Sequence, residues 1–328
     1  MTAQKGVALL SMLLVMAIVT TLTSSMLYNN RLEIKRSQVQ AFKGQAQEYA
    51  LSGIAWAEIW TQKTTHPQAQ VMELFEPENG SLQVRISDEM AKFNLNNLRD
   101  VSGNIDSTQL HIFQRLLTSL QIDAALAVNV GDWLDADVSS AGHNSEDLGY
   151  ENKQAYYAKG YRTANRPMAH ISELILVKGF SEGLYQILQP YLTALPDKTA
   201  ININSASAEL LEVLIPGIDG ARMVAQRKSA NGSHFLDVDS FLQHQLSAGL
   251  EISTDMLTTT SQYYLVIAQA SYRKQMSNWQ ALLFKSENLD SANQDGWYIQ
   301  RKWQHQQPFW MTKISVRDNS LEAIHKGL

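Results

Sequence analysis

The sequence predicts an α+β protein with a long N-terminal helix, an antiparallel sheet and a large inserted block of helices. Three features of the 328-residue chain support this fold class. An apolar segment near the start continues into an amphipathic stretch without a proline. Alternating apolar residues, which are typical of strands, occur before residue 99 and again after residue 259. The segment between them has mainly helical spacing.

The composition excludes several classes of protein. Hydrophobic residues make up 45% of the chain, which excludes a disordered protein, and the length suffices for about two or three domains. A net charge of −5 gives no support for nucleic-acid binding through bulk charge. Because the chain has no cysteine, disulfides, thiol catalysis and cysteine-based zinc sites are also excluded.

Residues 7–27 predict a transmembrane helix. No charged residue lies between Lys5 and Arg31, and at about 1.5 Å per residue the segment covers roughly one bilayer core. It is too long for a usual secretory signal, and no small-residue cleavage site follows it. Counting the flanking cations places the C-terminal part in the cytoplasm, because more of them follow the span than precede it: Lys5 before it, and Arg31, Lys35 and Arg36 after it.

The remaining elements follow from the spacing of apolar residues. Residues 28–66 continue the N-terminal helix, and 82–98 predict a pair of strands packed against it. Together, 67–99 and 259–328 form the predicted α+β core, with later strands at 261–272, 279–286 and 296–303. The inserted helical domain is 100–258; its predicted parts are a helical repeat at 108–130, an acidic loop at 132–166, and helices at 170–195, 206–228 and 236–246.

The acidic loop contains candidate calcium ligands. Two aspartates two residues apart, Asp135 and Asp137, have a spacing common in calcium loops, and Ca²⁺ takes about six to eight oxygen ligands. The glycine and final glutamate of an EF-hand are absent. A solvated acidic loop with turn-forming aspartates is the alternative. The candidate ligands are Asp132, Asp135, Asp137, Glu146, Asp147 and Asn165.

Two units of the inserted domain, 170–195 and 203–246, share a helix, an apolar-Gly-apolar hairpin and a second helix. This shape is similar to the helix-hairpin-helix of DNA-binding proteins, in which hairpin amides hold a phosphate. Packing of two helices is the favoured interpretation, because the acidic side chains Glu182, Glu212 and Asp219 would repel a phosphate. The supporting cations are Arg222, Arg227 and Lys228.

The sequence predicts no enzymatic activity. It contains no nucleophile elbow, phosphate-binding loop, HExxH motif or dinucleotide fingerprint. The paired aspartates are the residues that acid–base chemistry would use, and a glycosidase-like role for them is the weaker interpretation.

The start of the chain resembles type IV pilin-like proteins. The leader would be "MTAQKG", residues 1–6, and the resemblance implies that prepilin peptidase cleaves between Gly6 and Val7 on the cytoplasmic side and methylates the new amine. This implies a single-pass protein of the bacterial inner membrane, with a cytoplasmic N-terminus and the bulk of the chain in the periplasm. The resemblance therefore opposes the charge count.

Ser11 departs from the pilin pattern. Most pilins have a glutamate at this fifth mature position, which neutralises the terminal amine of a neighbouring subunit inside the fibre. A buried charge without a counter-ion costs several kcal/mol, so a chain without this carboxylate fits best at the tip, where no subunit lies ahead. Neutral drift at Ser11 is the alternative.

The rest of the chain resembles the minor pseudopilin K (GspK) family of type II secretion. The matching stretches are "GVALLSMLLVMAIV" (6–19), "AKFNLNNL" (91–98), "VGDWLDAD" (130–137), "SEDLGY" (145–150), "YRTANRPMAHISEL" (161–174), "GFSEGLYQILQPYLTALP" (179–196) and "ININSASAELLEVL" (201–214). The resemblance implies a type IV pilin-like fold with an inserted domain of the sterile-alpha-motif type, and a calcium site in the acidic loop. Family members often have Gly-Ala-Glu-Asp where this chain has "HNSED".

The same resemblance implies the function and the partners. The chain would cap the tip of the pseudopilus, initiate its assembly and so support protein secretion across the outer membrane. Its partners would be the minor pseudopilins GspI and GspJ, together with GspH, the major pseudopilin GspG and prepilin peptidase, without nucleic acid. A minor pilin of a type IV pilus and a membrane-tethered DNA-binding protein are the alternatives.

Overall fold

The computed structural model describes residues 3–63, 70–75, 79–135, 163–228, 234–244, 253–285 and 297–304. The helices and strands in these ranges are α1 (Ala3–Lys63), β1 (Gln70–Phe75), β2 (Gly80–Asp88), β3 (Phe93–Asn94), α2 (Ser107–Ser119), α3 (Leu126–Leu134), α4 (Glu182–Leu188), β4 (Leu192–Thr193), β5 (Ile201–Asn202), α5 (Ala208–Leu214), α6 (Gly220–Lys228), α7 (Val238–Leu242), β6 (Leu257–Thr258), β7 (Tyr263–Tyr272), β8 (Gln275–Lys285) and β9 (Trp297–Gln304).

Helix α1 is a continuous helix of 61 residues, about 90 Å long, as the sequence predicts. Its first half projects away from the rest of the described chain; Leu10 and Met12, for example, are 69% and 66% exposed. Its second half packs on the sheet through buried small and branched residues such as Ala50, Ile54 and Ala57. Within the described residues α1 is the helix long and apolar enough to cross a membrane, by its length and composition.

Five strands form an antiparallel sheet in the order β1-β2-β7-β8-β9. Alternate residues of β2, namely Leu82, Val84 and Ile86, point into a core shared with α1. The close approach of helix and sheet depends on Gly53, where a Cβ would lie 2.8 Å from a methyl of Val84. The predicted α+β fold class is therefore confirmed.

The inserted segment forms its own apolar core. Large side chains from α2 and α3 lie at its centre, including Phe113, Leu117 and Trp133. Elements after the acidic loop complete it, with Tyr185 of α4, Leu211 of α5 and Phe241 of α7 all buried. Two short parallel strand pairs connect this core to the sheet. In them β3, which follows β2, pairs with β4, and β6, which precedes β7, pairs with β5.

Two sequence predictions, one in the inserted segment and one just before it, are wrong in detail. The repeat at 108–130 is two helices, because Gln121 has a left-handed φ of 60° and the Asp123 carboxylate accepts a hydrogen bond from the Ala125 amide at 2.9 Å. The predicted strand pair at 82–98 is β2 followed by a 3-10 turn, the two residues of β3 and a second 3-10 turn. Side chains cause both turns, since Asp88 accepts from Met90 N and Asn94 from Asn96 N.

The predicted helical region at 170–195 is also shorter than expected. A 3-10 helix spans Ile171–Leu176, and α4 ends at Leu188 before the strand β4. Gly179 separates them with a φ of 87°, a conformation that favours glycine. A side chain there would also strike Leu126, since its Cβ would lie 2.5 Å from a methyl of that residue.

Candidate functional sites of the helix and the inserted domain

The N-terminal half of α1 contains the predicted processing and assembly residues. Gly6 and Val7 lie within the first turns of the helix. Ser11 is exposed and lines a shallow apolar groove along α1 with Met12, Val15, Met16 and Val19. At position 11 the groove therefore presents a hydroxyl among apolar side chains, and no carboxylate.

The hydroxyl side chains in the apolar part of α1 bond to the helix itself. Thr20 and Thr23 donate to the carbonyls of Met16 and Val19, both at 2.8 Å, and Thr21 donates to Ala17 O at 2.6 Å. These bonds satisfy polar groups that hydrocarbon could not. The threonines are thus compatible with a membrane environment.

The base of the acidic loop brings two of the predicted ligands together. Asp135 ends α3 and is 5% exposed, and the backbone amide of Asn165 donates to Trp133 O at 3.1 Å. The Arg99 guanidinium donates to Leu134 O at 2.8 Å and to Asn165 O at 3.2 Å. The two ends of the loop are therefore fixed side by side, with Asp135 Oδ1 and Asn165 Oδ1 both buried.

The other predicted ligands are not part of this arrangement as far as it is described. Asp132 is half-buried on α3, one turn before Asp135. Asp137, Glu146 and Asp147 lie outside the described residues. Within the described ranges no group of three or more acidic or histidine side chains could hold a metal ion. The described oxygens are thus fewer than the about six to eight that Ca²⁺ takes.

In the second hairpin, carboxylates of the chain itself occupy the position where a phosphate would bind. The Asp219 carboxylate accepts from the amide of Arg222 at 2.8 Å, and that of Glu212 accepts from Gly220 N at 3.2 Å. These are the amides at the start of α6 that would hold a phosphate in a helix-hairpin-helix. Two carboxylates already occupy them, so the hairpin favours packing over DNA binding.

Arg227, a cation on which the DNA-binding alternative depends, points inward. Its guanidinium donates to the carbonyls of Ile203 and Ala206, the latter at 2.6 Å, and burial lowers its pKa to about 10. It therefore fixes the start of the second unit against α6. In the first hairpin, Ser181 caps α4 by accepting from Leu184 N at 3.3 Å.

Three buried asparagines in the "FNLNN" stretch were not predicted as structural residues. The Asn94 side chain accepts from Leu195 N at 3.0 Å and donates to Asp197 O at 2.9 Å. Asn96 accepts from Met168 N at 2.8 Å and donates to Leu195 O at 2.8 Å. Asn97 pairs in the same way with the backbone of Thr199. Each side-chain amide accepts from a backbone N–H and donates to a backbone carbonyl, as a neighbouring strand would. Each therefore joins segments that are far apart in sequence.

Comparison with known proteins gives a consistent result. Family models described as "Type II secretion system (T2SS), protein K" match residues 91–197 and 201–261. The type II secretion system protein K of Pseudomonas aeruginosa is 32% identical over 290 residues, covering 82% of this chain and 85% of the relative. That of Klebsiella pneumoniae is 32% identical over 260 residues, covering 70% and 76%.

A solved structure shows the same fold. The crystal structure of the GspK-GspI-GspJ complex from the type 2 secretion system of enterotoxigenic Escherichia coli contains a chain that matches with a TM-score of 0.62 and 22% identity. The match covers 85% of this chain and 100% of that chain. By its sequence matches over most of its length, this chain belongs to the type II secretion system protein K family of minor pseudopilins.

Proposed function

We propose that this protein caps the tip of the type II secretion pseudopilus and starts its assembly. The observation that carries the proposal is the position of the inserted domain. The paired residues Gly80 and Tyr272 lie at the end of the sheet that contacts Phe42, nearest the apolar half of α1. The chain leaves β2 at Asp88 and returns at Tyr263, so the inserted domain sits at the opposite end of the sheet.

A fibre built from such subunits packs them through their N-terminal helices. The sheet, the half of α1 packed on it and the inserted domain together form the head of the subunit. The inserted domain lies at the end of the head farthest from the apolar half of α1, in the space that the next subunit would need. Ser11 supports the same placement, since it provides no carboxylate for the terminal amine of a subunit ahead. The described sites are suited to assembly, and the proposal includes no catalytic step.

The partners and the topology belong to the same proposal. The chain would be cleaved between Gly6 and Val7, remain in the inner membrane through α1, and expose its head to the periplasm. It would join GspI and GspJ, which form a complex with GspK in the solved structure, and then GspH and GspG below them.

Co-expression of the full chain with prepilin peptidase, GspI and GspJ from the same genome tests this function. We expect a chain shortened by the leader that co-purifies with both partners from detergent. A Gly6→Ala/Val7→Pro variant blocks cleavage and is the control for processing. Failure of the mature chain to bind GspI or GspJ would contradict the proposal, and binding of DNA at low salt would favour the rejected alternative.

We further propose that Ca²⁺ binds at the base of the acidic loop. Asp135 and Asn165 place two buried side-chain oxygens at the two ends of residues 136–162, and the intervening sequence supplies Asp137, Glu146 and Asp147. Ca²⁺ prefers such carboxylate and amide oxygens. The ion would neutralise these carboxylates and tie the loop to α3.

Chelation tests this site. The melting temperature of the full chain in detergent should fall by several degrees when excess EGTA is added, and return with Ca²⁺. The Asp135→Asn variant should lose most of that response, whereas the Asp255→Asn variant, a change in an exposed aspartate of the same domain, should keep it. An equal melting temperature of the wild type with EGTA and with Ca²⁺ would refute the site.

A further inference from the structure

Helix α1 has a basic stretch directly after its apolar half. Arg31, Lys35, Arg36 and Lys43 are all exposed, and Glu33 is the acidic residue among them. At about 1.5 Å per residue, Arg31 lies about 6 Å and Arg36 about 14 Å beyond Leu27. These distances correspond to the head-group layer and the water next to it when residues 7–27 span the bilayer.

The turn between β7 and β8 adds two cations with unusual backbone conformations. Arg273 and Lys274 have φ angles of 43° and 70°, the left-handed region that a two-residue hairpin usually fills with asparagine and glycine. Residues other than glycine are strained in this conformation, and such strain clusters at functional sites. Both side chains are exposed.

Contacts place this turn above the basic stretch. The Arg273 guanidinium carbon lies 5.1 Å from the centre of the Phe42 ring, and the Arg273 amide donates to Asn79 O at 2.8 Å. Residues seven apart lie on nearly the same face of a helix, so Lys35 is on the Phe42 side of α1, about 10 Å closer to the apolar half. Arg31 is one turn closer again. The cations therefore form a track, here called the basic track, from the head towards the apolar segment.

We infer that the basic track, formed by Arg31, Lys35, Arg36, Lys43, Arg273 and Lys274, binds anionic phospholipid head groups and tilts the head towards the membrane. The inference rests on the proposed periplasmic topology. In that topology these cations lie on the periplasmic side of the span, against the positive-inside rule, so their positive charge requires an anionic partner there. Cations beside a membrane are attracted to an anionic lipid surface, and their contributions add. Tilts of about 20°, within a range up to about 40°, are ordinary for membrane helices and would lower the turn towards the lipid phosphates.

Acidic residues near the basic track reduce its net positive charge. Glu33 shares the stretch with four cations, and Glu48 lies about 8 Å along the helix beyond Lys43, on the side away from the apolar half. Glu76 and Glu78 precede Asn79 in the sequence and lie outside the described residues. Counting Glu33 with the basic track, the cations exceed the acidic residues by five. A polyanionic surface matches this excess better than a single acidic side chain would.

The test uses the natural absence of cysteine. The full chain with a Met276→Cys substitution is labelled with an environment-sensitive fluorophore; Met276 is 61% exposed and lies two residues after the turn. The protein is placed in nanodiscs of phosphatidylcholine, with or without about one third phosphatidylglycerol. Quenching by head-group spin-labelled lipid should be at least about twofold greater with phosphatidylglycerol, and should fall at high salt.

Two double variants and a matched control decide the outcome. Arg273→Gln/Lys274→Gln and Arg31→Gln/Lys35→Gln should each abolish the difference between the two lipids. Arg115→Gln/Arg222→Gln removes the same charge from exposed positions of the inserted domain and should keep it. Equal quenching in both lipids, or an equal effect of the control, would overturn the inference.

The same variants separate this inference from the proposed function. The nanodisc measurement needs no other pseudopilin, so it gives a result even where tip capping is wrong. If the turn variant loses GspI and GspJ in co-purification while its quenching stays unchanged, the basic track is a protein contact and the lipid inference is wrong.

Discussion

Single buried polar side chains connect the sheet to the inserted domain. Asp88, at the end of β2, is 3% exposed and accepts hydrogen bonds from the hydroxyls of Ser205 and Ser261, from Asn202 Nδ2 at 3.0 Å and from Met90 N at 2.8 Å. Its partners come from β5, from the loop after it, and from the chain that enters β7. One carboxylate thus ties the chain that leaves the sheet after β2 to the chain that returns to it before β7.

The Asp88→Asn variant should lose about 2 kcal/mol of unfolding free energy. The new amide directs a donor at groups that already donate, so at least one buried polar group loses its partner. Thermal or urea unfolding of the full chain in detergent measures the change. Asp255→Asn, at an exposed position, is the matched control and should change stability by less than about 0.5 kcal/mol.

The same carboxylate should give a defined pH dependence. Burial raises the pKa of Asp88 above its ordinary value of 3.8, more than its hydrogen bonds lower it. The folded state therefore binds the proton more tightly than the unfolded state, so this group contributes most stability at low pH and loses it as pH rises through the folded-state pKa. The stability difference between wild type and Asp88→Asn should grow as pH falls towards 3.8; a difference that shrinks would contradict the raised pKa.

At the residue scale, the sequence predicts a role correctly where the charge of a side chain and its position in a motif determine that role. The carboxylates of Glu212 and Asp219 were expected to exclude a phosphate, and both accept hydrogen bonds from the hairpin amides. The roles of Asn94, Asn96 and Asn97 could not be predicted, because their partners lie about a hundred residues away. Nothing in the local pattern distinguishes a buried asparagine from a turn residue.

Helix α1 is the element that the sequence predicts best. Apolar spacing over tens of residues averages out local exceptions, so its course through residues 7–27 and its end near Lys63 were both expected. The helix begins earlier than expected, at Ala3 within the predicted leader. Shorter elements were less predictable. The break between α2 and α3 depends on Gln121 in a left-handed conformation, which is uncommon for glutamine and has no strong sequence signal.

The two glycines in the second half of α1 provide a matched test of how it packs. A Cβ at Gly53 would lie 2.8 Å from Val84 and 3.1 Å from Leu82, whereas one at Gly44 would meet nothing within 4 Å. Gly53→Val should therefore destabilise the head by about 2–3 kcal/mol through overpacking, and Gly44→Val by less than about 0.5 kcal/mol. Chemical unfolding followed by tryptophan fluorescence measures both. Similar losses would show that α1 does not lie against the sheet at Gly53.

At the scale of the molecule, the sequence predicts the order of the parts and not their placement. Strand patterns on both sides of a helical block indicate an insertion. Which end of the sheet bears the insertion depends on strand direction relative to α1, and that became visible only through contacts such as Phe42 with Tyr272, whose ring centres lie 5.7 Å apart. This placement links the fold to a position in the fibre.

The tip position predicts that a glutamate at position 11 is tolerated. After cleavage at Gly6, residue 11 lies about 6 Å along the helix from the new terminus, where a carboxylate can pair with the amine of its own chain. Ser11→Glu should therefore keep co-purification with GspI and GspJ and keep secretion within about twofold of the wild type.

Val15→Glu, one turn farther along the same groove, is the control. Its carboxylate lies about 12 Å from the terminus, too deep to reach either water or the amine, and costs about 3 kcal/mol on insertion. We expect it to reduce both membrane insertion and secretion. If Ser11→Glu fails as Val15→Glu does, position 11 requires a neutral side chain for its own packing, and its lack of a carboxylate no longer indicates a place at the tip.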